Sequence, residues 1–342
     1  MQPQTLTAFF VFRLKQIFIF THKLELKNMT TPLSIVWNPS EGIDLGFFVI
    51  RFYSLMFVIA FVLGWYLMKH IFIRENESIE KLDSLFIYTF LATLIGARLG
   101  HVIFYQPELF KEDFWSVFLP IRTKPTFEFT GFTGLASHGA AIAIIIMMYF
   151  YSKNIIKRPI LWVLDRIVIP VASGAIFVRL GNFFNSEIFG HPTSGDKFYA
   201  VKFIRDDEYW LRKSDVLRIT GAKDINEGFN LIQNDPKFAQ ILAEIPYRHP
   251  AQLYEAFGYV FVFLILFYAY WKTDAREKSG YLLGLFFILL WTVRFFVEFV
   301  KESQGGFESS LGILSTGQWL SIPFIIAGFY LMFRAKKKVH SL

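Results

Sequence analysis

The chain has 342 residues, of which 54% are hydrophobic, 19% aromatic and only 18% charged, and its mean hydropathy is +0.40. A soluble domain is nearer half apolar and a quarter charged, and several runs here reach the ~20 residues that cross a bilayer, so the composition points to a polytopic membrane protein. The formal charge of +7 does not argue for nucleic acid as a partner, because many basic residues flank hydrophobic runs as topology signals do; the absence of cysteine excludes disulfides, thiolate–metal sites and a cysteine nucleophile of the chain's own.

The first stretch, FFVFRLKQIFIF, is apolar and basic but no small-residue cleavage site follows it. Met29 opens MTTPLSIVWNPSEG in the manner of an ordinary protein start, so residues 1–28 read as an upstream extension or an interfacial anchor. Within residues 47–190, four spans are expected at Phe47–Met68, Leu85–Tyr105, His138–Tyr151 and Ile160–Val178. The third is short and the fourth runs into a polar motif, where irregular backbone is tolerated only if buried or lining a cavity. Residues 191–249 hold interspersed acids and bases and read as a small head, with helical stretches at Asp224–Phe229 and Gln240–Ile245. Residues 250–342 supply the last spans, Leu253–Trp271, Tyr281–Val300 and Gln318–Phe333, and a basic tail. The expected fold is therefore an all-α polytopic membrane protein of about seven transmembrane helices with a small extracytoplasmic head domain.

Lys and Arg in the short connections set the orientation. Lys69, Arg74, Lys81, Lys153, Lys157, Arg158, Lys272, Arg276, Lys278, Arg334, Lys336, Lys337 and Lys338 fall on one side, against Lys111, Arg122, Lys124 and Lys301 on the other. This places the N-terminus and head outside and the C-terminus in the cytoplasm.

An arginine at the centre of a membrane helix costs about 2.5–3.5 kcal/mol even on insertion scales, so such residues usually face a cavity and serve a function. Four places collect them: GARLGHVIFY with Arg98 and His101, ASHGAA with His138, RLGNFFNSEIFG with Arg179, Asn182, Asn185, Glu187 and Gly190, and RFFVEF with Arg294 and Glu298. Arg294 and Glu298, four apart, share a helix face, as do Arg179 and Asn182, three apart. Gly181 and Gly190 permit close backbone approach. Converging guanidinium groups suit a phosphate, which they grip at two points. Plainer readings stand beside each residue: a structural ion pair for Arg294–Glu298, snorkelling for Arg98, a hydrogen-bonded interface position for His138, an aromatic-belt position for Tyr53, and a turn opening the fifth helix for HPAQLYE with Tyr254 and Glu255. No HExxH or comparable ligand cluster is present, so neither a metal nor a cofactor is expected.

GARLGHVIFY, RLGNFFNSEIFG, RHPAQLYE and RFFVEF, in this order and over about residues 43–333, resemble prolipoprotein diacylglyceryl transferase. The sequence departs from the family's usual pattern at Ala140 of His-Gly-Ala, at Val178 before Arg179, and at His101. The resemblance implies a seven-helix inner-membrane enzyme with its N-terminus outside. It would transfer the diacylglyceryl group of phosphatidylglycerol to the lipobox cysteine of prolipoproteins near the outer leaflet. It further implies that Arg179 and Arg294 hold the phosphate and that Asn182 and Asn185 orient headgroup oxygens. Glu187 and Glu298 would hold the arginines, with Tyr53, Arg98, Gly190, Tyr254 and Glu255 completing the substrate site. His138 is the candidate base; an electropositive pocket that lowers the thiol pKa is the alternative. A lipid or solute transporter would instead show paired broken helices in two related halves. An intramembrane hydrolase would show a serine elbow or metal motif, and a lipid-binding scaffold would need the phosphate grip without a base.

Overall fold

In hydrocarbon every backbone amide must find its partner within the chain, so long apolar runs fold as helices. The structure, a computed structural model, describes residues 34–46, 49–119, 121–124, 126–129, 134, 136–206, 211–302 and 314–335. The extension or anchor expected at residues 1–28 and the basic tail at 336–342 lie outside them. Seven apolar helices follow in chain order: α1 (Phe52–Arg74), α2 (Ile79–Tyr105), α3 (Ser137–Tyr151), α4 (Ile160–Phe184), α5 (Ala251–Lys272), α6 (Tyr281–Val297) and α7 (Thr316–Arg334). A π-helical turn, Ser152–Ile156, prolongs α3. Among the described residues, six of these are long and apolar enough to cross a membrane, and α6 is the shorter seventh. This is a mostly helical, multi-pass membrane protein.

Several boundaries differ from expectation, and two of them reshape local structure. The first helix starts at Phe52, because Gly42–Asp44 and Val49–Arg51 pair as an antiparallel hairpin before it. The fourth stays helical through Phe184, so the polar motif's first half is helix and not irregular backbone.

Residues 41–184, 252–299 and those described beyond 303 form one compact unit. Its helices pack on small residues, which let backbones approach where lipid and leucine are equally apolar. In α2, Gly96 and Gly100 lie against Gly139 of α3: a Cβ on Gly100 would stand 2.6 Å from the Gly139 Cα. Gly284 of α6 meets Gly328 of α7 in the same way, 2.6 Å from its carbonyl oxygen. Along α1 and α4, Tyr53 faces Gly181, Ala60 faces Gly174 and Gly64 faces Pro170, which makes the two antiparallel.

One end of this unit is tied by buried charge. Asp165 of α4 accepts hydrogen bonds from the amides of Gly280 (2.7 Å) and Leu283 (2.9 Å). It thereby caps α6, whose own cap residue is a glycine in the left-handed region. Its neighbour Arg166 donates to Glu75 (2.9 Å) and to the Arg276 carbonyl (3.1 Å), while the Tyr270 hydroxyl donates to Glu75 at 2.9 Å. Glu77, in the turn between α1 and α2, pairs with Lys81 and Arg158 at 2.8 Å each. Those partners hold its carboxyl below the usual range against the opposing effect of burial.

Described residues of 34–40, 185–251 and 300–302 form the other unit. Ile35–Trp37, Val201–Phe203 and Tyr247–Arg248 make a three-stranded sheet, the first pair parallel and the second antiparallel. Helices Lys213–Thr220, Ile225–Asn234 and Ala239–Glu244 accompany it. A core of Ile204, Leu211, Val216, Phe229, Ile232 and Ile245 closes this unit, and Asp224 caps the middle helix through the amides of Asn226 and Glu227.

The glycine seams make a contrast testable by thermal unfolding in detergent. Gly139→Ala would drive a methyl into the Gly96 carbonyl and the Gly100 Cα and should cost about 1–3 kcal/mol, as overpacking does. Gly174→Ala meets only the Ala60 methyl at 3.7 Å and should be neutral or gain up to ~1 kcal/mol of helix propensity. Equal effects of the two would refute the seam.

Candidate active site

The signature RLGNFFNSEIFG begins on the last turns of α4, where Arg179 and Asn182 share a face. The Arg179 guanidinium donates to the Asn182 side-chain oxygen at 3.2 Å. Its Nε stands 2.5 Å from the carboxylate of Glu255 on α5, whose side chain is fully buried. One helical turn beyond Glu255, the buried Tyr259 hydrogen-bonds the same guanidinium. The Tyr53 ring packs on Gly181, 3.0 Å from where a Cβ would stand. Arg179 is thus fixed by an acid, an amide and a phenol drawn from α4 and α5, with Tyr53 of α1 at its flank.

Arg294 lies on the last turns of α6. Its Nε is 3.8 Å from Glu298, and its side chain keeps 29% exposure against 13% for Arg179. The Arg294 guanidinium also sits over the Trp291 ring at 5.2 Å, and that ring stacks on Phe324 at 4.3 Å. The Glu298 carboxylate is held from the start of α7: the Ser315 hydroxyl donates to it at 2.9 Å, and Gly317 packs on it so closely that any Cβ would collide. Ser315 is itself the cap of α7 in a capping box with Gln318. Glu298 therefore lies where the helix dipole favours an anion. The two arginine groups share one electrostatic neighbourhood, with Glu298 acting on Arg179 and Arg294 on Tyr259.

Arg98 and His138 gather separately, where α2 ends and α3 begins. Arg98 donates to the carbonyls of Ser116 and Gly134. His138 is exposed and meets the rings of Phe104 (5.0 Å) and Tyr105 (6.2 Å). His101 stacks on Tyr105 at 5.3 Å. The described contacts therefore sort the sequence candidates into a group around Arg179 and Arg294 and a group around Arg98 and His138.

After Phe184 the signature continues in the sheet-bearing unit. Asn185 is exposed, Glu187 half-buried and Gly190 buried. Ser186 and Ile188 take positive φ of 55° and 59°, which for a β-branched residue is a strained conformation. Gly190 is wedged between two segments of the chain: its amide donates to the His249 carbonyl at 2.7 Å, and a Cβ there would overlap the Val300 carbonyl. In RHPAQLYE, Arg248 is buried over the Phe189 ring at 4.6 Å. It bonds Glu302 at 2.8 Å and the Gly190 carbonyl at 3.4 Å. His249 stacks on Tyr199 at 5.0 Å. Tyr254 and Glu255 stand on the first turns of α5. Among the described residues no group of three or more His, Asp or Glu is placed to hold a metal.

The family model described as prolipoprotein diacylglyceryl transferase matches residues 41–334, which takes in all seven apolar helices and every residue of the candidate site. The chain belongs to the prolipoprotein diacylglyceryl transferase family. Several proteins named phosphatidylglycerol–prolipoprotein diacylglyceryl transferase are similar to it along nearly their whole length. The one from Bacteroides fragilis is 37% identical over 90% of this chain and 97% of its own. Those from Chloroherpeton thalassium and Porphyromonas gingivalis are each 36% identical, over 91% and 90% of this chain and 97% of their own. This diacylglyceryl transferase is an enzyme, a membrane-embedded transferase.

Three residues that bear on the candidate site of this transferase escaped sequence reading. Tyr259 looked like any aromatic in a span, although its i+4 spacing from Glu255 puts it on the same face. Ser315 carried a capping-box pattern with Gln318, but nothing local linked it to Glu298, 17 residues away. Arg248 stood inside a quoted motif, but nothing local linked it to Glu302.

The stacked pair in the sheet-bearing unit gives this transferase a pH dependence. Burial, helped by His191, holds the His249 imidazole below its ordinary pKa. The unfolded chain takes up that proton near pH ~6.5, the folded chain only at lower pH, so acidification through that range favours unfolding. His249→Phe keeps a ring against Tyr199 and removes the titration. It should flatten the fall of Tm between about pH 7 and 5 in scanning fluorimetry; an unaltered fall would assign the acid sensitivity to other groups.

Proposed function

We propose that this chain transfers the diacylglyceryl group of phosphatidylglycerol to the lipobox cysteine of prolipoproteins, the first step of bacterial lipoprotein maturation, with Arg179 and Arg294 holding the phosphate. The observation that carries the reading is that two guanidinium groups, on the last turns of α4 and α6 and each set by its own carboxylate, share one electrostatic neighbourhood in a bundle of apolar helices. Arg294, the more exposed, is the primary phosphate contact. Arg179, gripped by Glu255 and Tyr259, supplies fixed positive potential beside it. Glu298 positions Arg294, and Asn182 orients headgroup oxygens beside Arg179. Asn185, Glu187 and Gly190, which follow in the chain, and Tyr53 and Tyr254 complete the substrate contacts.

The substrate cysteine sulfur forms a bond to the glyceryl carbon as that carbon's bond to the phosphate oxygen breaks. The electron pair leaves with glycerol phosphate, and the thiol proton goes to a base. A singly charged diester becomes a more highly charged monoester, so fixed guanidinium groups bind the transition state more tightly than the ground state. His138 is the proposed base, since imidazole titrates near neutrality; cationic surroundings that lower the thiol pKa are the competing source of thiolate. The asymmetry of Lys and Arg between connections supports an N-terminus outside, a C-terminus in the cytoplasm and a site toward the outer leaflet of the inner membrane.

The reading is tested by incubating the purified enzyme with phosphatidylglycerol vesicles and a lipobox peptide. The peptide should gain the mass of one diacylglyceryl group, and a peptide with serine for cysteine should gain none. No gain with folded enzyme would favour a transporter or scaffold instead. Arg294→Gln should lower kcat by about 10²–10³, the loss seen when one donor to a developing anion is removed. His138→Gln should remove the limb of the pH–rate profile that reports its base; an unchanged rate and profile would leave the thiolate to the electropositive pocket.

A further inference from the structure

A second polar site lies at the end of α2. Arg98, His101, Gln106, Ser116, Arg122 and Gly134 are among the residues that line a cavity of about 160 Å³. Arg98 donates to the carbonyls of Ser116 and Gly134, which fix the guanidinium in place. Arg122 adds a second guanidinium at the mouth; its pairing with Glu128, at 3.6 Å and more than half exposed on both sides, is of the kind that water screens to little effect. His101 brings a ring nitrogen toward Gly134.

The acid in the neighbouring loop is committed elsewhere. Asp113 accepts from the Ser116 hydroxyl, the Thr123 hydroxyl and the Thr123 amide, each at 2.6 Å, and from the Lys124 amide at 3.3 Å. These bonds hold its carboxyl far below the usual carboxylate range. They also fasten the segment that carries Ser116 to the one that carries Arg122. The described lining thus combines two guanidinium forks with an imidazole, a hydroxyl and an amide, and includes no carboxylate. Arginine forks match phosphate oxygens at two points. The volume admits a phosphate with a short polyol.

We propose that this cavity is a second anion site, separate from the Arg179–Arg294 pair, which takes the phosphate of a glycerol phosphate ester. The choice of glycerol phosphate over other small anions rests on the transfer reaction proposed above, whose leaving group it is; the anion site itself does not. The same chemistry is offered by free glycerol phosphate and by the headgroup of a phosphatidylglycerol, and the experiment separates them.

The full-length protein is placed in phosphatidylcholine nanodiscs and titrated calorimetrically with sn-glycerol 1-phosphate. In parallel, native mass spectrometry counts the lipids retained from phosphatidylglycerol nanodiscs. Both are done on wild type, Arg122→Gln, Arg98→Gln, Arg294→Gln and the Arg122→Gln/Arg294→Gln pair. Binding of the free ester should survive Arg294→Gln, weaken at least fivefold in Arg122→Gln, and vanish in the double variant. If Arg122→Gln and Arg98→Gln instead remove one retained phosphatidylglycerol and leave the free ester unaffected, the site stands with the lipid as its source. The proposal is overturned if neither readout responds to Arg122→Gln, or if Arg294→Gln alone abolishes both. Arg122 is exposed, so its replacement leaves the fold intact, and an unaltered unfolding temperature checks this. Failure of peptide lipidation would sink the transfer reaction and leave the binding result untouched.

Discussion

A charge inside an apolar helix bundle must carry its counter-charge with it, and the pair Arg179–Glu255 is where this constraint is sharpest. Glu255 has no exposed side-chain surface and Arg179 little. Such a pair is no strong source of stability, because desolvation offsets most of the attraction; removal of one partner, however, leaves an uncompensated charge and costs about 3–5 kcal/mol. The consequence is geometric. Arg179 can stand at the end of α4 only if α5 enters the bundle with Glu255 and Tyr259 turned toward it. The same holds for Arg294, which requires Glu298, and for Glu298, which requires Ser315 and the start of α7.

The bundle's two ends use this constraint differently. At one, Asp165, Arg166, Glu75, Glu77 and Arg158 satisfy one another and the ends of neighbouring helices, so their charge is spent on closing turns. At the other, Arg294 keeps partial exposure and Arg98 is tied to neutral carbonyls. Glycine contacts between α2 and α3 and between α6 and α7 hold the helices close enough for these ends to be fixed. Rigid placement of cationic donors before the anion arrives is what makes electrostatic stabilisation of a transition state effective.

Much of the fold was readable because membrane helices announce themselves locally. Runs such as Phe52–Arg74 and Ala251–Lys272 are predominantly apolar, and their C-terminal ends are marked by Arg and Lys. The start of α1 was misjudged because Ile43, Val49 and Ile50 are apolar in a hairpin as readily as in a helix. The strand Ile35–Trp37 was not foreseen at all: its partner Val201–Phe203 lies more than 160 residues away. The GARLG segment was noticed for its arginine, whereas its two glycines form the packing surface. Of the polar candidates, Arg179 with Asn182 and Arg294 with Glu298 were legible as pairs, since i+3 and i+4 spacing on a helix is local geometry.

The sequence by itself determined that this is a helical membrane protein, which residues are too costly to bury idly, and, through four motifs in order, which family it resembles. Those facts are written in composition, in local spacing and in the order of short motifs along the chain. Only the tertiary structure decided which charges meet: that Glu255, not Asn182 alone, answers Arg179, that Ser315 holds Glu298, and that Arg98 belongs with His101 and Arg122 in a cavity of its own. Those partnerships join helices far apart in the chain, and Coulomb attraction depends on distance in space, which no local pattern encodes.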